Sequence, residues 1–246
     1  WSGVAAGVYV TLNPANPALL SRSANRLKEY AKQTTSDADI VKRRWLPIDF
    51  DPVRPAGISS TDEEHQWAMD RAIAAAAWAR CIDVNLKGVL HGIGAVHDQM
   101  IAQGRGHVVN VSSIYGNHPN AGSGVYAATK AAVNVLSDTL RIESQGRIKV
   151  TTIRPTGVPT TGLGSTVVNG GALVGILGHH GQSFMTNIAG YFAGTLAVEQ
   201  TDPESIRYWA IRAEELAQQI LYAIDQPWGI SISDLTVRAS GEEFVL

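Results

Sequence analysis

Two rhythms of apolar residues alternate along the chain. Short β-branched runs predict strands, and stretches with apolar positions every three to four residues predict helices. Residues 3–12 are small and apolar and read as either a helix start or a strand. Pro17 to Leu20 is a short apolar run ending at Ser21-Arg22-Ser23, and Asn25 to Gln33 reads as a helix with Leu27 and Tyr30 inward. Trp45 to Phe50 reads as a short strand closed by Asp49 and the Asp51-Pro52 turn signal, with a loop around Pro55 and Gly57. Thr61-Asp62-Glu63-Glu64 is a capping-box pattern opening a helix to Ala77. Asp83 to Met100 reads as a long amphipathic helix with Leu86, Val89, Leu90, Ile93 and Val96 inward. A strand over 107–113 follows, then a Gly/Asn/Pro loop and a helix to about Ser144. Lys149 to Arg154 is a strand stopped by Pro155, Asp202-Pro203-Glu204 starts a helix to about Ile224, and Ile230 to Val237 is a last strand.

Strands alternating with helices imply an α/β fold, a doubly wound, mostly parallel sheet of Rossmann type, spanning 1–246 as one domain. Ligands of such sheets bind beyond the carboxyl ends of the strands, where Ser113, Pro155-Thr156-Gly157 and Arg22 all fall. Residues 156–200 are Gly-rich, weakly charged and without a steady period, so 156–205 reads as a substrate-binding loop or lid. The strand Gly106 to Ser113 delivers a hydroxyl at its end, and Tyr126-Ala127-Ala128-Thr129-Lys130 follows thirteen residues after Ser113. Tyr126 and Lys130 lie four apart on one helix face, so hydroxyl, phenol and ammonium can share one small site.

Composition narrows the partners. A net charge of −2 gives no electrostatic footprint for nucleic acid or an anionic membrane. No apolar run approaches the roughly 20 residues that span a bilayer. Trp1-Ser2-Gly3-Val4 lacks the profile of a secretory signal, so a cytoplasmic protein is expected. The lone Cys81 cannot form an internal disulfide and reads as a buried, inert thiol in an apolar helix. His179-His180 has no companion ligands, and no metal site is expected.

The combination Asp83-Val84-Asn85-Leu86-Lys87-Gly88, Asn110-Val111-Ser112-Ser113, Tyr126 to Lys130 and Arg154-Pro155-Thr156-Gly157-Val158 resembles the short-chain dehydrogenase/reductase family. Weaker similarity covers Leu20 to Asp51 and Ser233 to Arg238. The resemblance implies Asn85, Ser113, Tyr126 and Lys130 as the catalytic group, with Ser112 replacing Ser113 if the register slips by one. A free Tyr titrates near pH 10. An ammonium about 4 Å away contributes roughly 4 kcal/mol at an effective dielectric near 20, so Lys130 is expected to lower the Tyr126 pKa for acid–base work. Ser113 would orient the carbonyl oxygen, and Asn85 would hold a water relaying protons from the lysine. Hydride would come from a nicotinamide contacting Tyr126 and Lys130. NAD-using members usually place an acid at the end of the second strand. Here Ser21-Arg22-Ser23 offers a guanidinium instead, which favours NADP over NAD. Asp49 resembles the acid facing the adenine, and Pro155, Gly157 and Val158 resemble the segment contacting the carboxamide.

The chain departs from the family pattern twice. The glycine-rich turn that brings amides to a pyrophosphate is reduced to Ser2-Gly3-Val4-Ala5, with Gly3 its surviving glycine. The strand ending Asn-Asn-Ala-Gly is missing between Ala77 and Cys81. Both would be central strands, whose loss leaves costly unpaired edges. Either the polypeptide carries further segments, or residues 4–12 supply a replacement strand beside a degenerate cofactor site. Intact mass separates these, because 26.3 kDa matches the sequence alone.

The pocket is expected to be lined by Ile114, Tyr115 and His118 and by Leu163, Val167, Val168, Leu173, Ile176, Leu177, Phe184, Met185 and Tyr191. Such a lining favours a neutral, apolar ketone or secondary alcohol. Two readings follow: an NADP-dependent carbonyl reductase or alcohol dehydrogenase, and a catalytically silent dinucleotide-binding or regulatory protein. A homodimer or homotetramer through the long helices is expected, with Val133 and Leu140 as outer apolar positions.

Overall fold

A computed structural model describes residues 61–118, 122–167, 171 and 177–243; the readings for residues 1–60 lie outside them. Backbone contacts divide the chain into Trp1–Met69 and Asp70–Leu246. In the first unit the capping box is formed: Glu64 N donates to Thr61 Oγ1 at 3.2 Å, and Thr61 N to Glu64 Oε2 at 2.8 Å. It opens α1, Asp62–Ile82, which runs past the expected end at Ala77. The sequence explains the overrun, since no Gly or Pro occurs between Asp62 and Lys87 and six alanines from Ala72 to Ala79 favour helix. Asp83–Lys87 forms one π-helical turn, and α2 continues over Gly88–Ala102. Of the positions expected inward, Leu90 is exposed, while Leu86, Val89, Ile93 and Val96 are half-buried.

Among the described residues three parallel strands form a sheet in the order β1-β2-β3: β1 His107–Val111, β2 Lys149–Pro155 and β3 Asp234–Val237. Central β2 is covered on both faces, and Val150, Thr151, Thr152 and Ile153 have no exposed surface. Its buried threonine Thr151 donates to the Ile232 carbonyl at 2.6 Å. Pro155 extends β2 rather than stopping it. Its missing N–H faces no loss, because the ladder to β3 resumes with Thr156 N donating to Val237 O at 3.1 Å. β1 and β3 end or begin short of the expected runs at Ser113 and Ile230.

Helix α3, Gly124–Glu143, lies against the sheet. Leu140 packs with Ile148 and Val150, and Ile93, Met100, Ile101 and Val108 close over them. Val133 and Leu140 therefore face the core, correcting their reading as outer positions; Val135 and Ile142 are the large exposed apolar residues of α3.

The 156–205 stretch is more ordered than its composition suggests. Helix α4 covers Gly181–Ala193 and α5 Val198–Thr201. The helix expected from Asp202 begins instead at Ala213, as α6, Ala213–Ile224. Residues 209–211 are buried in non-helical chain, and Arg212 N donates to Glu215 Oε2 at 2.8 Å to start the helix there. Trp209 is wedged between Phe184 and Tyr191, with ring centroids 5.7 and 5.9 Å away. Phe184, Tyr191 and the buried Leu177 are thus packing residues.

Candidate active site

At the carboxyl end of β1 the chain leaves the sheet in extended conformation and turns at once into the single turn Ile114–Gly116. Ser113 caps that turn, its hydroxyl accepting from Tyr115 N at 3.2 Å. Gly116 makes the turn possible. A Cβ there would lie 2.9 Å from the Lys130 carbonyl and 2.8 Å from Asn134 Nδ2, so only glycine lets the loop press against α3 at this level. Ser112 and Ser113 are both buried but do different things. Ser112 Oγ donates to the Lys130 carbonyl at 3.0 Å, which fastens the strand end to the helix. The Ser113 hydroxyl also acts on the Tyr126 phenol, pulling its pKa down. The register keeps Ser113, not Ser112, beside the tyrosine.

Lys130, one turn beyond Tyr126, donates from Nζ to the Val111 carbonyl at 3.0 Å and sits 5.7 Å from the Tyr126 ring centroid. No carboxylate pairs with it among the described residues. Burial lowers its pKa. The effect expected on Tyr126 is reversed: burial first, then the neighbouring Cys81, raise the phenol pKa, and only the Ser113 hydroxyl lowers it. The physical reason is position. The ammonium is held at the Val111 carbonyl and over the ring, while the phenol is removed from water.

Asn85 lies in the π-helical turn and reaches α3, donating from Nδ2 to Thr129 Oγ1 at 3.3 Å and to Cys81 Sγ at 3.4 Å. Thr129 in turn donates to the Tyr126 carbonyl at 2.7 Å. Asn85 therefore reaches the residue before Lys130. Cys81 is not enclosed in an apolar helix as expected. It is half-buried, and its sulfur touches polar groups of this cluster. Neither Cys81 nor Thr129 was singled out for the site from the sequence, although each stands at helical spacing from a residue that was.

Beyond β2, Pro155 pairs with Val237, and Thr156 donates from Oγ1 to Glu242 Oε2. Gly157 and Val158 follow, half-buried, at the same strand ends. Tyr115 packs edge-on against Tyr126, ring centroids 6.3 Å apart, whereas Ile114 points into the core and is removed from the expected pocket lining. Gly3, Ser21, Arg22 and Asp49 lie outside the described residues, as do Val168, Leu173 and Ile176.

A parallel α/β sheet with Ser, Tyr and Lys at one strand end defines the Rossmann-like class of dinucleotide folds. Comparison with known proteins agrees. The pattern of the short chain dehydrogenase family matches residues 32–169. An uncharacterized oxidoreductase of Listeria innocua is 32% identical over 163 residues, covering 65% of this chain and 55% of the relative. One from Staphylococcus epidermidis is 26% identical over 240 residues, covering 91% and 86%. Among solved structures, a serine dehydrogenase complexed with NADP+ is 25% identical with a TM-score of 0.49, over 65% of this chain and 55% of that one. The chain belongs to the short-chain dehydrogenase/reductase family. It spans little more than half the length of the Listeria relatives it matches.

Proposed function

We propose that this chain carries the catalytic half of a nicotinamide-dependent oxidoreductase interconverting a ketone and a secondary alcohol. The observation that carries the reading is the Ser113 hydroxyl acting on a half-buried Tyr126 phenol, with Lys130 one helical turn on and fixed to the Val111 carbonyl. Burial keeps the phenol protonated at neutral pH, so Tyr126 is an acid aimed at a carbonyl oxygen. Ser113 shares that oxygen and stabilises the charge it gains. Lys130 has three ammonium protons and one acceptor at Val111 O, so its remaining donors fit the hydroxyls of a ribose. The family's nicotinamide supplies hydride when bound. Asn85 positions Thr129, and through it the backbone of α3 beneath Tyr126.

The phosphate end rests on the sequence. Ser21-Arg22-Ser23 places a guanidinium where an acid would repel a 2′-phosphate, which favours NADPH; Gly3 and Asp49 complete that end. The exposed apolar residues Leu163, Val167 and Met185 suit a neutral, apolar substrate. A homodimer or homotetramer in the cytoplasm completes the reading.

The test is a panel of neutral ketones and secondary alcohols with NADPH and NADH, run on the unaltered chain and on Tyr126→Phe. Turnover with NADPH, lost about 10²- to 10⁴-fold in the variant at unchanged cofactor affinity, is the expected result. Cofactor binding with no turnover on any member of the panel would replace it with the silent, regulatory reading.

A further inference from the structure

The last described residues build a second polar contact at the same strand ends. After β3 the chain turns back at Ala239, which is buried, and Gly241 is pressed onto residue 207: a Cβ there would lie 2.4 Å from the Arg207 carbonyl. Gly241 N donates to Tyr208 O at 2.8 Å. Two residues on, Glu243 accepts from Asn187 Nδ2 at 2.7 Å and from Trp209 Nε1 at 3.0 Å. Held on both sides, Glu242 has one direction left, and its side chain is only 3% exposed. Its carboxylate accepts the Thr156 hydroxyl on one oxygen, and the other oxygen lies 3.0 Å from Arg238 Nε as an ion pair. Tyr115, which packs on Tyr126, is a further titratable neighbour.

From this geometry we propose that Glu242 is a positioning residue: by holding the Thr156 hydroxyl it fixes the turn Pro155–Val158 as the seat of the nicotinamide. The inference rests on the cofactor reading above. Thr156 stands where β2 ends, with its N–H given to Val237 O and its hydroxyl 3.5 Å from that same carbonyl, so Glu242 is the second and closer group holding the side chain. Burying a carboxylate there opposes its ionisation and carries its pKa up to about 7, against the pull of Thr156 and Arg238. An amide would sit in the same place without that penalty. A carboxylate kept at such a cost is the pattern of a group retained for its placement at a site.

Below about pH 7 the carboxyl gains a proton and loses its charge-assisted hydrogen bond to Thr156 and its ion pair with Arg238. The experiment measures NADPH dissociation constants of the unaltered chain, Glu242→Gln, Thr156→Val and the double variant between pH 6 and 8. Thermal melts of each confirm folding. At pH 8 either single variant should bind about fivefold more weakly, with the double variant no worse than one of them. The ratio of Glu242→Gln to the unaltered chain should shrink toward one at pH 6. Equal affinities at pH 8, additive losses, or a ratio constant with pH would overturn the role of Glu242 alone. If Glu242→Gln melts as an unfolded chain, Thr156→Val reads the same contact from its other side. An unaltered chain that binds neither NADPH nor NADH at millimolar concentration overturns the cofactor reading itself.

Discussion

Tyr126 and Glu242 show one residue-scale effect twice: removal from water favours the neutral form of each. For Tyr126 this means a protonated phenol across the neutral range. Reductive turnover should therefore stay level from pH 6 to 9 and fall only at more alkaline pH, whereas alcohol oxidation, which needs the phenolate, should climb over the same range. A pH–rate profile in both directions checks this. For Glu242 the linkage runs the other way from an ordinary carboxylate. Its folded pKa, about 7, lies above its unfolded value near 4.5, so its contribution to stability is full below pH 4.5 and is lost as pH rises through about 7. Glu242→Gln should melt a few degrees above the unaltered chain at pH 8, the difference closing by pH 5, in calorimetric scans. None of this could be read from the sequence. Ser113, Tyr126 and Lys130 are marked by their spacing, but the sequence gives no sign of how deeply the phenol is buried or that Glu242 returns to Thr156 from 86 residues away.

Elements were legible where local chemistry decides them. The Thr61–Glu64 box starts its helix as its residues predict, and the β-branched runs at 107–111 and 149–155 form strands. Thr61→Ala should cost about 1 kcal/mol of stability in urea denaturation. Reading failed where tertiary burial overrides local signals. Asp202-Pro203-Glu204 has the residues of a helix start, yet 209–211 are drawn into a core and the helix waits for Arg212 and Glu215. Val133 and Leu140 were placed outward because the α3 pattern alone does not say which face meets the sheet; Ile148 and Val150 do. The glycine at 116 is the element-scale feature most directly tied to the site. Gly116→Ala forces a Cβ into the Lys130 carbonyl and should cost about 1–3 kcal/mol of stability, together with loss of turnover as Lys130 shifts. Matched denaturation and kinetic measurements separate the two effects.

Within the Asp70–Leu246 unit two cores share the work. One lies between α3 and the sheet; the other gathers around Trp209, where Phe184 and Tyr191 of α4 meet a tryptophan whose N–H is given to Glu243. Trp209→Ala should cost about 3–5 kcal/mol, and urea titrations followed by far-ultraviolet dichroism measure it. That second core is invisible to periodicity, because residues 177–211 bring it together from three separate stretches. It also has an optical consequence. Three aromatic rings held at fixed tilts give asymmetric near-ultraviolet absorption, a signal that exists only while their packing is rigid. Trp209 is thus a built-in probe of the stretch over 177–211. Its dichroism, set beside the far-ultraviolet signal of the helices, reports whether that stretch loosens before the sheet does, with no label attached.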